Sequence, residues 1–420
     1  MNIWLVTTGE PVQTDGDNPR LLRTGIFAEF LVKHGQEVTW WQSAFSHAKL
    51  EPRFLENKIL SVEGYTLVFL KGKGYKKNIS LDRIIDHYKV AQQFKKVSID
   101  FPKPDIIVCS FPTFSLCEKT LEYGKKNNVP VLIDYRDLWP ETFVNAIPQR
   151  FQVFGKIAFI PMFSKARNIF KRATGIISIT EPILNIALEK VGRAKNNFDN
   201  VFPLGYRKNE GKISDEVYSF WKNLGIESGK SSYVCYFGKI GHQFELDTVI
   251  DAAKILAERK INITFVLCGN GDKLEYFKAQ SENLTNVIFS GYINAVQIRS
   301  LMQMSQIGIA PYFSTLDFNS SLPNKAIEYM SEGLTIVTSL KDGYLGKFVT
   351  DNNIGYCYSN GNPTELADLL VQLSENKENL ERNKNKILEI FEEKFKSEKV
   401  YNDYMLHLQN TIQTFKSETK

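Results

Sequence analysis

The sequence predicts an α/β protein of two Rossmann-like domains that face each other across a cleft. A chain of 420 residues is too long for one ordinary hydrophobic core and suits two domains. Short apolar runs alternate with segments of helical periodicity in the first half, and the same alternation restarts near residue 232. This alternation is typical of parallel sheets that are covered by helices on both faces.

The expected strands are runs rich in β-branched and aromatic residues, and the expected helices repeat apolar residues three and four positions apart. In the first half the strands are 3–7, 37–41, 105–110, 129–135 and 175–180, and the helices are 21–34 and 114–127. In the second half the strands are 232–237, 263–268, 287–289, 307–310 and 335–338, and the helices are 246–259, 271–281, 295–304 and 324–331.

The domain boundaries follow from where this alternation pauses. We expect an N-terminal domain over 1–206, a linker rich in glycine and charge over 207–230, and a C-terminal domain over 231–395. A C-terminal helix over 396–420 is expected to pack back on the N-terminal domain.

The composition, with 43% hydrophobic and 24% charged residues, is that of an ordinary soluble protein. The five cysteines are scattered without a CxxC pair, which argues against a disulfide framework or zinc site and favours a reducing compartment. No run approaches the roughly 18 apolar residues of a membrane-spanning helix, and the chain enters a strand pattern at once. We therefore expect a cytoplasmic protein.

The net charge of +5 is concentrated in the first half. Residues 1–206 contain 28 lysines and arginines against 20 acidic residues, a balance of +8, and the remainder contains 24 against 27. A basic N-terminal domain predicts a negatively charged partner, either anionic lipid or an acceptor that carries phosphate. Nucleic acid is the competing interpretation, but the sequence has neither a nucleic-acid-binding motif nor a dense arginine stripe.

A proline-led helix before a strand near the chain end combines the features of an anion site. Pro323 stands where a helix can begin, after the potential cap residues Ser320 and Ser321. The free N–H groups of a helix start attract anions, and Lys325 adds a full charge in the first turn. Glu328, one turn later, can accept hydrogen bonds from the hydroxyl groups of a ribose. The alternative is an amphipathic helix on which Lys325 and Glu328 are solvated charges.

Three loops that follow strands in the second half contain glycines, which allow the backbone to approach a ligand closely. Ordinary tight turns are the alternative interpretation. The residues of interest in these loops are Gly238, Lys239, Gly241, Gly269, Gly291, Tyr292 and Ile293.

Charged residues follow the carboxyl end of the strand that ends at Tyr135, in the run Arg-Asp-Leu-Trp-Pro-Glu. Charges beside so apolar a strand are costly unless they are paired or functional. Arg136, Asp137 and Glu141 are therefore candidate functional residues. The alternative is an internal ion pair between Arg136 and a carboxylate, with Trp139 in the core.

The string PNKAIEYMSEGLTIVTS resembles the donor-site signature of retaining glycosyltransferases of family 4, which have the GT-B fold. The resemblance implies that Glu328 binds the ribose of a nucleotide-sugar and that Lys325 lies beside its diphosphate. Ser320 departs from the family, which usually has a glutamate there that contacts the donor sugar. The donor-binding residues implied in this way are Gly238, Lys239, Gly241, Gly269, Gly291, Tyr292, Ile293, Ser320, Ser321, Pro323, Asn324, Lys325 and Glu328.

The run Arg-Asp-Leu-Trp-Pro-Glu resembles a subgroup of family 4 that assembles surface polysaccharides, including aminodeoxysugar transferases of O-antigen and capsule pathways. By this resemblance Asp137 faces the reacting centre, and Arg136 or Glu141 supports the acceptor. The implied function is transfer of a sugar, with retention of configuration, from a nucleoside-diphosphate sugar to a glycan or lipid-linked acceptor, without a cofactor or metal ion. Near the N-terminus, the residues implied for the acceptor side are Glu10, Arg20 and Arg23.

Residues 150–172 contain six lysines and arginines, five phenylalanines and no acidic residue. This is the composition of a helix lying on an anionic membrane surface, and Pro161 is expected to break or bend it. The segment predicts a protein held peripherally on the inner face of the cytoplasmic membrane, and a second basic run, 71–77, is expected to assist. A buried helix with a basic rim is the alternative.

Two other functions suit the same fold. A non-hydrolysing nucleotide-sugar 2-epimerase would need neither a lipid acceptor nor a membrane-facing surface. A non-catalytic scaffold that binds sugar nucleotides is compatible with Ser320 in place of the glutamate. A dinucleotide-dependent dehydrogenase is disfavoured because no GxGxxG motif follows the first strand.

Overall fold

The computed structural model contains two compact units, each built on its own β-sheet. It describes residues 1–16, 19–78, 80–145, 147–208 and 211–419. Unit 1 comprises residues 1–205 together with 400–420, and unit 2 comprises residues 206–399. The predicted α/β class, with parallel sheets in two domains, is confirmed.

Unit 1 is centred on a sheet of eight strands within the described residues. Its strands, with a separate antiparallel pair β3–β4, are β1 (Asn2–Val6), β2 (Glu37–Ser43), β3 (Phe45–Ser46), β4 (Glu51–Pro52), β5 (Lys58–Val62), β6 (Tyr65–Leu70), β7 (Ile106–Phe111), β8 (Val131–Tyr135), β9 (Gly175–Ser178) and β10 (Asn200–Val201). The order in the sheet is β10-β9-β8-β7-β1-β2-β6-β5, and every neighbouring pair is parallel except β5–β6. The loops after β1, β7 and β8 therefore emerge side by side at one edge.

Helices cover both faces of this sheet. Alternate residues of β1 point to opposite faces, so Trp4 joins one core cluster and Leu5 joins the other. The helices of unit 1 before the chain crosses to unit 2 are α1 (Arg23–Lys33), α2 (Leu81–Val97), α3 (Phe114–Asn127), α4 (Glu141–Asn145), α5 (Gln152–Ala158), α6 (Ile160–Arg172) and α7 (Glu181–Val191).

Unit 2 has an all-parallel sheet in the order β13-β12-β11-β14-β15-β16 over its described residues. Its strands are β11 (Ser232–Phe237), β12 (Ile263–Cys268), β13 (Val287–Gly291), β14 (Ile307–Ala310), β15 (Thr335–Thr338) and β16 (Gly355–Cys357). Its helices are α8 (Asp215–Asn223), α9 (Leu246–Glu258), α10 (Leu274–Gln280), α11 (Ala295–Met304), α12 (Leu316–Ser320), α13 (Asn324–Ser331), α14 (Tyr344–Asp351), α15 (Pro363–Glu375) and α16 (Lys377–Lys394).

The last helix, α17 (Ser397–Glu418), returns the chain to unit 1. Its apolar side chains recur at helical spacing and are buried, so they complete one core cluster of that unit. The ring of Tyr404 stacks between Phe27 and Phe202, with centroids 4.3 and 4.4 Å away. Both ends of the chain therefore contribute to the core of unit 1.

The stretch expected as a linker, 207–230, differs from the prediction where the structure describes it. Helix α8 forms there, and Trp221 on it is fully buried and donates its indole N–H to Ser300 Oγ at 2.7 Å. The charged residues of this stretch occupy the outer face of an amphipathic helix, and for this reason its composition resembles that of a linker.

Candidate functional site

The three glycine loops of unit 2 meet because they follow three neighbouring strands, β11, β12 and β13. The Gly238 N–H donates to the Cys268 carbonyl at 2.9 Å, and the Gly269 N–H donates to the Gly291 carbonyl at 2.7 Å. The loops are thus tied to one another backbone to backbone. Sequence reasoning predicted each loop, and the structure brings them together at one edge of the sheet.

Close contact between the first two loops explains why they need glycine. Gly238 and Gly269 have φ values of +135° and +134°, which side chains rarely adopt. A Cβ at Gly269 would also lie 1.7 Å from the Gly238 carbonyl oxygen. Lys239 and Tyr292 are exposed around these glycines, whereas Ile293 is buried.

Helix α13 begins at Asn324, directly after Pro323, as predicted. The prediction that Ser320 or Ser321 caps this helix is wrong: Pro323 occupies the cap position, and it makes no side-chain capping hydrogen bond. The reason is that Ser320 is the last residue of the preceding helix α12. The first N–H groups of α13 therefore keep their attraction for an anion.

Lys325, in the first turn of α13, is buried with its amine surrounded by aromatic rings. Its side chain is 9% exposed, and Nζ lies 3.5 Å from the ring centroid of Tyr236 and 4.8 Å from that of Phe244. Nζ has no hydrogen-bond partner within the described part of the chain. A buried ammonium without a hydrogen-bonding partner is costly even beside aromatic faces, so this position favours an anionic ligand.

The protonation of Lys325 reflects this environment. Burial lowers the pKa of the amine to about 7, although Glu328 acts in the opposite direction. Glu328 is itself buried, 5% exposed, on the next turn of α13. The alternative in which Lys325 and Glu328 are solvated charges is therefore wrong. A site with a poorly solvated amine gains charge–charge attraction when a diphosphate enters.

Sequence reasoning did not predict the aromatic rings that surround the amine of Lys325. Tyr236 and Phe244 lie within the first glycine-loop segment, where only the glycines and Lys239 were singled out. The third ring, Tyr312, has its centroid 5.9 Å from Lys325 Nζ and follows strand β14 by two residues. The rule that functional residues follow strands points to Tyr312, whereas the contact itself requires the fold.

The charged run after β8 in unit 1 is organised by Arg136. Its guanidinium pairs with Glu10 and Asp134, and it also donates to Thr24 Oγ1 at 2.9 Å. Burial opposes the ionisation of Asp134, but Arg136 and Arg23 outweigh it and hold the pKa of this carboxyl below its usual value. The internal ion pair considered for Arg136 is therefore present.

Two residues expected on the acceptor side also belong to this network. Glu10 is buried and accepts from the Thr24 N–H at the start of α1, at 2.9 Å. Arg23 is buried and bonds Asp134 and the carbonyl oxygens of Phe202 and Pro203, so its position differs from the exposed one that acceptor binding would need. The interior location is stable because Arg23 meets a carboxylate and two carbonyls there.

The remaining candidates of unit 1 lie nearer the surface. Asp137 and Arg20 are exposed. Glu141, at the start of α4, forms an ion pair with Lys190 at 2.8 Å. Of the two carboxylates in the run 136–141, Asp137 is thus the exposed one.

The segment 150–172 forms two short helices rather than one. Helix α5 ends at Ala158 and α6 begins at Ile160, with Pro161 in its first turn, so the predicted break is confirmed. Only Ala166, Ile169 and Phe170 of α6 are buried. The exposed side chains of the segment combine five large apolar residues with all six basic residues, namely Phe151, Val153, Phe154, Ile157, Ile160, Arg150, Lys156, Lys165, Arg167, Lys171 and Arg172.

The described residues contain neither a metal-binding cluster nor a membrane-spanning helix. No cluster of three or more His, Cys, Asp or Glu side chains is arranged to hold a metal ion among them. None of the described helices is long and apolar enough to cross a membrane.

Comparison with known proteins identifies the second unit most directly. Residues 221–388 match the family of glycosyl transferases group 1. Over 213 residues the chain is 25% identical to a UDP-N-acetylglucosamine–N-acetylmuramyl-(pentapeptide) pyrophosphoryl-undecaprenol N-acetylglucosamine transferase of Ruminiclostridium cellulolyticum. The match covers 50% of each protein, so the chain spans about half the length of this curated relative.

Solved structures match almost the whole chain at low sequence identity. Sucrose-phosphate synthase from Thermosynechococcus elongatus superimposes with a TM-score of 0.73 at 14% identity, over 98% of this chain and 99% of that one. A glycosyltransferase from Rickettsia africae gives 0.67 at 12% identity, over 98% of both chains. Anabaena HepE, in complex with UDP and glucose, gives 0.65 at 15%, over 98% and 100%. Residues 221–388 thus carry a glycosyl transferases group 1 domain, and the chain has the two-domain GT-B fold.

Proposed function

We propose that the protein is a glycosyltransferase that takes its sugar from a nucleoside-diphosphate sugar. The observation that carries this proposal is the buried amine of Lys325, which has no hydrogen-bond partner in the described residues and stands at the uncapped start of α13. A diphosphate supplies the missing negative charge there. HepE, which shares the fold, is described in complex with UDP, and this supports a nucleotide at the same kind of site.

On the donor side, unit 2 stabilises the departing diphosphate. Lys325 and the first N–H groups of α13 face the charge that grows as the sugar bond breaks, and exposed Lys239 adds a second cation. Glu328 binds the ribose hydroxyl groups. Tyr292, which is 78% exposed beside the third loop, is available to the nucleobase. No metal ion or cofactor takes part in this proposal.

On the acceptor side, unit 1 presents Asp137 to the acceptor. The network of Arg136 with Glu10 and Asp134 fixes the backbone that carries Asp137, so Arg136 acts as a positioning residue. Glu141 is held by Lys190 and supports the same segment. The sugar is transferred with retention of configuration, in the assembly of a surface polysaccharide of the O-antigen or capsule type.

The acceptor of this proposal is linked to a lipid, and the protein binds to the inner face of the cytoplasmic membrane. The exposed phenylalanines and basic residues of 150–172 support membrane binding, because they join apolar surface to positive charge. The name of the Ruminiclostridium relative includes pyrophosphoryl-undecaprenol, which supports an acceptor of the same chemistry.

The test starts with a thermal-shift screen of nucleotide-sugars and continues with calorimetry on the best one. Glu328→Ala should weaken its binding by roughly ten- to a hundredfold, since hydrogen bonds to a charged group contribute about 1.5–3 kcal/mol. The matched control is Glu275→Ala on α10, whose side chain is 83% exposed and which should bind as the parent does. Equal donor affinity in parent and Glu328→Ala would remove Glu328 from the site.

Activity separates transfer from the alternatives. The protein should release nucleoside diphosphate only when an acceptor glycan is supplied. A nucleotide-sugar epimer formed without acceptor would identify a 2-epimerase instead. Donor binding without any turnover across acceptors would identify a scaffold.

A further inference from the structure

Helix α2 carries apolar side chains on the face that points away from the protein. Its inner face, with Val90, Ala91 and Phe94, is fully buried in the core of unit 1. On the outer face four large apolar residues follow the spacing of one helical stripe. These residues and their exposed fractions are Leu81 (77%), Ile84 (60%), Ile85 (41%) and Tyr88 (56%). A helix of a globular protein normally keeps its outer face polar, so such a stripe indicates a contact with something else.

Positive charge surrounds this stripe. Lys71, Lys76 and Lys77 are exposed on the loop that precedes α2, and Lys89 is exposed on the helix itself. The one acidic residue of the first turn, Asp82, is paired with Lys73 at 2.5 Å. We call these residues together the α2 surface, defined as Lys71, Lys76, Lys77, Leu81, Ile84, Ile85, Tyr88 and Lys89.

The basic loop and the apolar stripe form one fixed surface because Asp86 joins them. Asp86 is 2% exposed and accepts a hydrogen bond from the Gly74 N–H at 2.7 Å. Gly72 packs so closely on it that a Cβ there would lie 1.9 Å from its Oδ1. The loop therefore cannot move away from α2 without exposing a buried carboxylate.

The α2 surface is also connected to the run that contains Asp137. The Arg83 guanidinium lies 5.8 Å from the ring centroid of Tyr75 and 5.1 Å from that of Trp139. The Trp139 ring is 4.4 Å from Phe143, whose ring is 5.7 Å from Phe159 between α5 and α6. The Arg83 guanidinium and the rings of Trp139, Phe143 and Phe159 thus connect α2 to the acceptor-side run and to helices α5 and α6.

We propose that the α2 surface is a second membrane-binding element, which inserts its apolar stripe into the interfacial layer of an anionic phospholipid bilayer while its lysines contact lipid phosphates. This inference rests on the proposed function only in that a lipid-linked acceptor gives membrane contact a purpose. Charge complementarity favours a bilayer, because basic residues flank the stripe and the exposed Asp82 is paired with Lys73. A single outward helical face also provides the apolar area of an interfacial helix.

Insertion is tested directly by the Tyr88→Trp variant. Four of the five tryptophans, Trp4, Trp40, Trp41 and Trp221, are fully buried and Trp139 is partly buried, so the difference in quenching between variant and parent reports the added indole. Vesicles of phosphatidylglycerol with brominated acyl chains should quench the variant strongly and the parent weakly. Vesicles of brominated phosphatidylcholine should quench neither. Equal quenching of variant and parent by the anionic vesicles overturns the proposal.

Vesicle co-sedimentation then measures the contribution of the stripe. Ile84→Gln/Tyr88→Gln should bind phosphatidylglycerol vesicles about tenfold less tightly, because apolar area no longer enters the interface. The control Tyr218→Gln/Leu406→Gln changes two residues of comparable exposure, 43% and 45%, outside the α2 surface and should bind as the parent does. The proposal would be overturned if the α2 variant bound these vesicles as tightly as the parent does. It would also be overturned if the control variant lost as much affinity as the α2 variant.

The same assay keeps this inference separate from the proposed function, since it needs neither donor nor acceptor. A variant with Lys165, Arg167, Lys171 and Arg172 changed to glutamine reports the 150–172 segment alone. If only that variant loses vesicle binding, the 150–172 segment binds the membrane and the α2 inference fails. If only the α2 variant loses vesicle binding, the α2 surface binds the membrane and the 150–172 segment does not. If the parent protein binds an acidic protein but no vesicle, the partner of the α2 surface is a protein, and the proposal of a bilayer is overturned.

Discussion

At the scale of single residues, Lys325 links the fold to the chemistry. Three aromatic rings and Gly238 enclose its amine, and a Cβ at Gly238 would lie 3.2 Å from Nζ. The glycine and the three rings thus all lie around the amine of one residue in the first turn of α13. The sequence pattern identified the lysine, but its burial follows from contacts between three separate segments: the first glycine-loop segment, the residues after β14, and α13.

Donor binding should depend on pH through Lys325. Burial lowers the pKa of this amine in the empty site to about 7, and a bound diphosphate keeps the amine charged. Above pH 7 the empty protein must therefore take up a proton on binding. We expect donor affinity to fall by up to about tenfold per pH unit above 7, measured by calorimetry between pH 6 and 9. A flat profile over this range would contradict the assignment.

The control for that experiment is Lys325→Met, which keeps the length of the side chain without the charge. It should bind donor weakly and independently of pH. Because the folded pKa lies below the ordinary value of 10.5, the stability of the parent should rise as pH increases from about 7 towards 10.5. The variant should unfold at a higher temperature than the parent at neutral pH, with a difference that shrinks as pH rises.

Asp137 should affect turnover rather than donor affinity. Asp137→Asn keeps the shape of the side chain and removes its charge, so transfer should slow on the order of a hundredfold while the donor dissociation constant stays near that of the parent. Steady-state kinetics and calorimetry on the same preparation measure both quantities. The control is Asp100→Asn, another exposed carboxylate of unit 1. Transfer by Asp137→Asn at the parental rate would mean that this carboxylate does not face the acceptor.

At the scale of elements, the strands of unit 2 were the most predictable part of the chain. The limits expected for 232–237, 263–268, 307–310 and 335–338 agree with β11, β12, β14 and β15, because fully buried parallel strands are short apolar runs bounded by turns. Their loops were predicted for the same reason.

The sequence was least informative between 45 and 100. Strands β5 and β6 and helix α2 form there, and none was predicted. Strand β5 lies at the sheet edge and is mostly exposed, so it lacks the continuous apolar run. Helix α2 is apolar on its inner and outer faces, which hides the one-sided periodicity by which a surface helix is recognised. The feature that obscured this helix is also what suggests its function.

The basic helices α5 and α6 should bind membranes through charge as well as apolar area. Changing Lys165, Arg167, Lys171 and Arg172 to glutamine should weaken co-sedimentation with anionic vesicles, since each basic residue near such a surface contributes about 1 kcal/mol. Raising the salt concentration should weaken the parent more than the variant. Transfer to a short soluble acceptor should survive in the variant. Equal binding of the parent to neutral and anionic vesicles would mean that these residues only rim a helix.

At the scale of the whole molecule, the chain builds unit 1 from both of its ends. Helix α17 is separated from the rest of unit 1 by all of unit 2 in sequence, yet its side chains fill a core cluster between α1 and the sheet. The buried network of Arg23, Asp134 and Arg136 lies beside this helix, because the Arg23 guanidinium is 5.2 Å from the Tyr404 ring. The segment that carries the candidate residues Arg136 and Asp137 thus depends on the last helix for its packing.

Removing the ring of Tyr404 should therefore destabilise unit 1 strongly. The ring is 1% exposed and stacks on Phe27 and Phe202, so Tyr404→Ala should lower the free energy of unfolding by about 3–5 kcal/mol. Urea unfolding followed by tryptophan fluorescence measures this, because four of the five tryptophans, all but Trp221, belong to unit 1. The control is Leu406→Ala on the same helix, which is 45% exposed and should change stability by less than about 1 kcal/mol. If both variants unfold at the same urea concentration as the parent, α17 contacts unit 1 without contributing to its stability. If only Tyr404→Ala unfolds at a lower urea concentration, α17 is part of the core of unit 1.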